Sequence, residues 1–201
     1  MSAREVHEAP FLRSVLLDRD RIEHPDEYPF VLPAVQALEH LELPAVTYFI
    51  GENGSGKSTI LEAIALACGF NAEGGTINFN FATRRSESPL HQCIHLDRAP
   101  RRPRTGFFLR AESFFNEAAL SPSRQLSLLL RMHELLEEGS QFIIATHAPI
   151  VLAYPGATIY QLDERGITSV DYDQTEHVEL TRDFLNDRDR YLQRLLAPQS
   201  S

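Results

Sequence analysis

The sequence predicts an α/β fold: a mostly parallel sheet flanked by helices, with an antiparallel N-terminal portion and a C-terminal hairpin. Three observations carry that prediction. Ala45-Val46-Thr47-Tyr48-Phe49-Ile50 is a β-branched and aromatic run that passes through a glycine-rich segment into Ile60-Leu61-Glu62-Ala63-Ile64-Ala65-Leu66-Ala67-Cys68, a strong helix former stopped by Gly69. Gln141-Phe142-Ile143-Ile144-Ala145-Thr146 is a continuous apolar strand, as a parallel sheet covered on both faces requires. Residues 157–162 and 167–172 read as paired strands around Asp163-Glu164-Arg165-Gly166.

The other elements follow in chain order. Met1 to Pro10 carries charges of both signs and no apolar segment, and is expected to be a flexible tail on a single domain spanning residues 1–201. A strand is expected near Phe11 to Leu17. Pro25, Pro29, Pro33 and Pro44 then break the chain into irregular pieces around a short helix from about Ala34 to Leu41. After the Gly74-Gly75 turn, Thr76 to Ala82 alternates as a strand does, and Phe107 to Phe115 is apolar but ambiguous in type. Ser121-Pro122 supplies an N-cap and a first-turn proline for a helix running to about Glu138, with Leu126, Leu129, Leu130, His133 and Leu136 on one face and Gly139 as its stop. A charged helix over Thr181 to Leu196 closes the chain.

Composition narrows the function. The chain has 201 residues, 43% of them hydrophobic, and a formal charge of −9 at pH 7, so nucleic acid or an anionic membrane would repel it as a whole. Any anionic partner must be met locally. The one local excess of positive charge is the stretch from Arg84 to Arg110, which also holds Arg85, Arg98, Arg101, Arg102 and Arg104; it reads as a solvated Pro/Arg loop or as a contact for nucleotide or nucleic acid. The two cysteines, Cys68 and Cys93, lack metal-ligand spacing and read as reduced residues. No window approaches a membrane span, and a cytoplasmic protein is expected.

The segment between strand and helix is Gly51-Glu52-Asn53-Gly54-Ser55-Gly56-Lys57-Ser58-Thr59, a complete phosphate-binding loop. Its glycines permit backbone conformations closed to other residues, so that successive N–H groups can turn toward a phosphate at the positive end of the helix. Lys57 would reach the β- and γ-phosphates, and the Ser58 hydroxyl would be a ligand of Mg²⁺. His147, at the end of the 141–146 strand, stands where open α/β sheets place their ligands. A histidine there is a structural residue or a functional one; behind a phosphate loop and within Thr146-His147-Ala148-Pro149, the catalytic reading is the stronger.

Asn53 and Ser55 between the glycines, and Thr59 after Ser58, give the loop a form that resembles the ABC class of ATPases. Ala145-Thr146-His147-Ala148-Pro149 resembles the switch-histidine segment of that class, and Glu117-Ala118-Ala119-Leu120-Ser121-Pro122 resembles the stretch just after its Walker B carboxylates. The chain is most similar to stand-alone bacterial predicted ATPases of the AAA/ABC type, P-loop NTPases related to the ATP-binding heads of SMC-like and DNA-repair ATPases. The resemblance implies ATP and Mg²⁺ as ligands, ATP hydrolysis, a head-to-tail homodimer, and a role for His147 in contacting the γ-phosphate or the attacking water.

One part of the family pattern is not found. A signature segment and an apolar strand ending in Asp-Glu should precede Glu117, but Phe114-Phe115-Asn116 runs directly into it. Asp163-Glu164 after Ile159-Tyr160-Gln161-Leu162 mimics the lost pattern, although it reads better as a hairpin turn. Three functions therefore stay open: an ATPase, a nucleotide-gated interaction module that binds without turnover, and a P-loop kinase with a lid of arginines at 98–104. Tyr28 and Phe30 are candidates to stack on the adenine, with core packing as the alternative.

Overall fold

Six residues of one strand, β3 (Val46–Gly51), organise the structure, a computed structural model that describes residues 10–71, 74–76, 88–100, 105–108 and 121–197. Strand geometry sends alternate side chains to opposite faces, and both faces of β3 are covered. Phe49 packs among Ile60, Ala63 and Ile64 of α2 (Lys57–Ala67), while Val46, Tyr48 and Ile50 pack among Met132 and Leu136 of α3 (Pro122–Glu137) and Val151 and Leu152 of α4 (Pro149–Leu152). This explains why the strand reads as an unbroken apolar run rather than an alternating one.

The four-stranded sheet has the order β7-β3-β8-β9. β7 (Phe142–Ala145) and β8 (Thr158–Asp163) flank β3 in parallel, and β9 (Gly166–Val170) pairs antiparallel with β8. A second sheet, β2-β1-β5, is antiparallel and built from β1 (Leu12–Leu17), β2 (His40–Glu42) and β5 (Ile94–Arg98). A two-stranded ladder joins β4 (Gly75–Thr76) to β6 (Phe107–Phe108). The mixed α/β character with an antiparallel N-terminal portion and a C-terminal hairpin is as expected.

Four expectations are corrected. The helix expected over 34–41 is only α1 (Pro33–Gln36), because His40 to Glu42 alternates polar and apolar and β1 offers it a partner, with Val15 opposite Leu41. α3 turns part of the expected face outward: Leu129 and Leu136 pack inward as expected, joined by Leu128 and Met132, but Leu126 and Leu130 are 58% and 62% exposed. Ser121 stands at the N-cap of α3, but its hydroxyl meets the Ser123 hydroxyl at 3.0 Å instead of capping the backbone. The single C-terminal helix is two, α5 (Glu176–Asn186) and α6 (Arg188–Leu196), broken at Asp187, whose carboxylate accepts the Arg190 N–H at 3.2 Å. The expected tail at 1–9, most of the 76–82 strand, residues 109–115, the 116–117 junction and every arginine of the 84–110 stretch except Arg98 lie outside the described residues.

Gln141 ties the two sheets together. Its side-chain oxygen accepts the Leu12 N–H at 2.9 Å, and its amide nitrogen donates to the Leu12 and Leu43 carbonyls at 2.8 Å each, with the Pro44 carbonyl at 3.2 Å. The side chain thus imitates one rung of a strand ladder at the edge of β1. Gln141→Leu keeps the volume but leaves the Leu12 N–H without that acceptor, at a cost of about 2–3 kcal/mol. A fall in the melting temperature of about 5–10 °C is expected for a chain of this size; an unchanged calorimetric melt would show that the clamp is redundant.

Candidate functional site

The loop backbone is held by the strand it leaves and the helix it enters. Gly51 has φ +137°, and a Cβ built there would lie 2.1 Å from the Leu162 carbonyl oxygen of β8. Gly56, at φ +101°, is the residue before α2, and the Ile60 N–H bonds its carbonyl at 2.9 Å, so the first helical turn starts directly beneath the loop. Leu32 and Ala34, which begin the α1 segment, approach Gly56 from below. Gly54, at φ +87°, meets nothing within 4 Å and faces open space.

Lys57 is buried, and its ammonium donates to the Gly51 carbonyl at 2.5 Å and the Glu52 carbonyl at 2.7 Å. Burial lowers its pKa, and the Glu52 carboxylate partly opposes that shift. The cation is therefore stored against the loop's own carbonyls, where a phosphate oxygen would compete for it. Ser55 Oγ is buried with no hydrogen-bond partner among the described residues, an orphan of the kind a ligand can satisfy. Ser58 is exposed at the start of α2, and Thr59 shares a hydrogen bond of 2.8 Å with the hydroxyl of Tyr28, whose ring is 60% exposed. Phe30, the other aromatic candidate, is buried in the first core cluster and is a packing residue.

A cleft of about 580 Å³ opens over the loop. Gly51 to Ser55 form one wall, and Gln161 to Arg165, with Glu176 and His177, form the other. Asp163 is both things the sequence suggested: it closes the β8–β9 hairpin opposite Gly166, and it lines the cleft because Leu162 is in register with Gly51. Its carboxylate is already engaged. The Arg165 guanidinium and N–H reach it at 2.9 and 2.8 Å, and the Gln161 amide at 3.3 Å, and these bonds, Arg165 first, hold its pKa below the usual carboxylate value. Arg98 bonds the Ala67 carbonyl at the far end of α2. Among the described residues no cluster of three or more His, Cys, Asp or Glu side chains is set to hold a metal.

His147 lies between β7 and α4, in a segment fixed by the Ala148 N–H bonding the buried Thr146 hydroxyl at 3.1 Å. It is not among the cleft-lining residues; His177 is, and the two rings are bonded, Nδ1 of His147 to Nε2 of His177 at 2.8 Å, with centroids 4.7 Å apart and planes at 74°. His177 was not foreseen, because nothing in the pattern around it points beyond an ordinary surface helix. Burial, then the Lys57 charge, then His177 push the His147 pKa down to about 4. An unfolded chain would take up this proton near pH 6.5 while the folded one refuses it until about pH 4, so stability should fall as pH drops through that window. His147→Gln should flatten the slope of melting temperature against pH between 6.5 and 4; parallel slopes for variant and parent would contradict the assignment.

A protein-family model described as an AAA domain matches residues 39–118, less than half of the chain. The matched span contains β2, β3, the loop and α2, and stops before α3, His147 and the β8–β9 hairpin. It supports an AAA-type P-loop ATPase-like family. No curated protein and no solved structure matches the chain. Among the described residues no helix is long and apolar enough to cross a membrane.

Proposed function

We propose that the protein binds ATP with Mg²⁺ in the cleft over the 51–59 loop and releases phosphate slowly if at all. The observation that carries this reading is the prepared but self-satisfied cradle: an ammonium held on two loop carbonyls beside an unpartnered Ser55 hydroxyl, at the N-terminal end of α2. Gly51, Asn53, Gly54, Ser55 and Gly56 would enclose the phosphates. Lys57 would move its hydrogen bonds from the loop carbonyls to phosphate oxygens, and Thr59 would be held aside by Tyr28. Ser58, exposed next to Lys57, is the residue that would hold Mg²⁺, which when bound neutralises phosphate charge. The exposed ring of Tyr28 is the better adenine platform, since Phe30 is committed to the core.

Of the carboxylates that line the cleft, Glu52, Asp163, Glu164 and Glu176, the one that ends an apolar strand is tied up. A general base must take a proton from the attacking water, and an acid held below the ordinary carboxylate pKa is a poor acceptor. Asp163 is such an acid, doubly bonded by Arg165. This favours a cytoplasmic nucleotide-gated module of the ABC/AAA-like type over a fast ATPase, with the head-to-tail homodimer as the assembly in which a second chain could supply what this one lacks. A calorimetric titration of the full chain with ATP and Mg²⁺, with phosphate release followed on the same sample, tests both parts. Saturable heat that is lost in Lys57→Ala, with little phosphate, is the expected result. No heat would end the nucleotide reading; fast phosphate release would show that an acid other than Asp163 takes the proton.

A further inference from the structure

We propose that Arg165 is a second phosphate-contact residue, a cation that the tip of the β8–β9 hairpin presents to the cleft from the side opposite the 51–55 loop. This deepens the nucleotide reading above and rests on it for the identity of the ligand; its own content is that a polyphosphate chain is met from two sides. β3 and β8 run parallel, with Ile50 opposite Gln161 and Gly51 opposite Leu162. Asp163, one residue on, therefore stands beside the start of the loop. The turn at Glu164-Arg165 follows it, at the end of the sheet where open α/β folds take their ligands.

Charge decides what this position can do. Four carboxylates line the cleft, on Glu52, Asp163, Glu164 and Glu176, and among its described lining residues Arg165 is the one side chain with a permanent positive charge. Without it the hairpin would meet an entering anion with carboxylates alone, and like charges repel. The ion pair with Asp163 is lopsided in the way a presented cation requires. The Asp163 side chain is 26% exposed and is fixed by the Arg165 N–H at 2.8 Å and the Gln161 amide at 3.3 Å as well as by the guanidinium. The Arg165 side chain is 79% exposed, and its guanidinium donates through Nη2 to Asp163 at 2.9 Å and to nothing else among the described residues. A guanidinium has five N–H donors, so most remain for a phosphate oxygen while Asp163 keeps its hold. An exposed ion pair is also surrendered easily, should the ligand draw the cation away entirely.

Calorimetric titrations of the full chain with two probes, tripolyphosphate with Mg²⁺ and ATP with Mg²⁺, test the proposal. Arg165→Ala is expected to weaken both by about tenfold, the effect of one charge-assisted hydrogen bond at an exposed site, and to melt like the parent. Arg165→Lys should recover part of the loss because it keeps the charge without the fork, whereas Arg165→Gln, which keeps reach without charge, should not. Added salt should weaken binding more steeply in the parent than in Arg165→Ala. Parent-like affinity for both probes in Arg165→Ala would overturn the proposal and leave the nucleotide function standing. Should Arg165→Ala fail to fold, the lysine and glutamine variants carry the same comparison. Tripolyphosphate binding that depends on Arg165, with no binding of ATP, would keep the arginine's role and refute the nucleotide function; a parent that binds neither probe would refute both.

Discussion

Lys57→Ala is expected to weaken ATP–Mg²⁺ binding by about 100-fold or more, the largest effect of any side chain of the loop, since charge-assisted hydrogen bonds to phosphate are worth about 1.5–3 kcal/mol each and lysine would make more than one. The folded protein should survive the change. Its ammonium bonds two carbonyls of an exposed loop, which water can serve in its absence. Lys57→Met separates charge from packing, because it keeps the apolar stem that the helix buries. If the methionine variant titrates like the parent, the ammonium does not contact the nucleotide.

Gly51→Ala should act on the fold and the cleft together. At φ +137° an L side chain is strained by about 1–3 kcal/mol, and here its Cβ would also collide with the Leu162 carbonyl at 2.1 Å. Relief requires β8 to move from β3 at the register pair that sets the cleft. A loss of at least about 3 kcal/mol follows, or roughly 6–12 °C in melting temperature. Nucleotide binding should fall in parallel even when measured well below the melt. A variant that melts like the parent would mean that the strand pair yields easily, and that the loop is less firmly held than its geometry suggests.

How much of this was legible in the sequence depended on whether the signal was local. The strand, loop and helix at 45–68 were, because glycine spacing and apolar periodicity are properties of consecutive residues. The β8–β9 hairpin was legible for the same reason, down to its turn at Glu164-Arg165. The covered face of α3 was legible only in part: Leu126 and Leu130 fit an apolar stripe as well as Leu128 and Met132 do, and only the position of β3 and α4 decides which stripe is covered. The break at Asp187 was hidden because Asn186-Asp187 interrupts a run of good helix formers by a single pair. In the site, Asp163 carried a local mark, an Asp-Glu pair after an apolar run, whereas His177 reaches the cleft on a helix placed by buried neighbours, a long-range fact with no local mark.

The walls of the cleft are spaced by main chain. Gly51 rests against the Leu162 carbonyl, and on the outer side of the same hairpin Gly166 lies where a Cβ would fall 2.5 Å from Ala37. Neither contact involves a side chain that faces the cleft. Chemistry and gauge are therefore separable in this protein: the residues at 161, 163 and 164 can be exchanged without changing the width they look across. A library varying only those three positions on the parent backbone would retain folded members at high frequency.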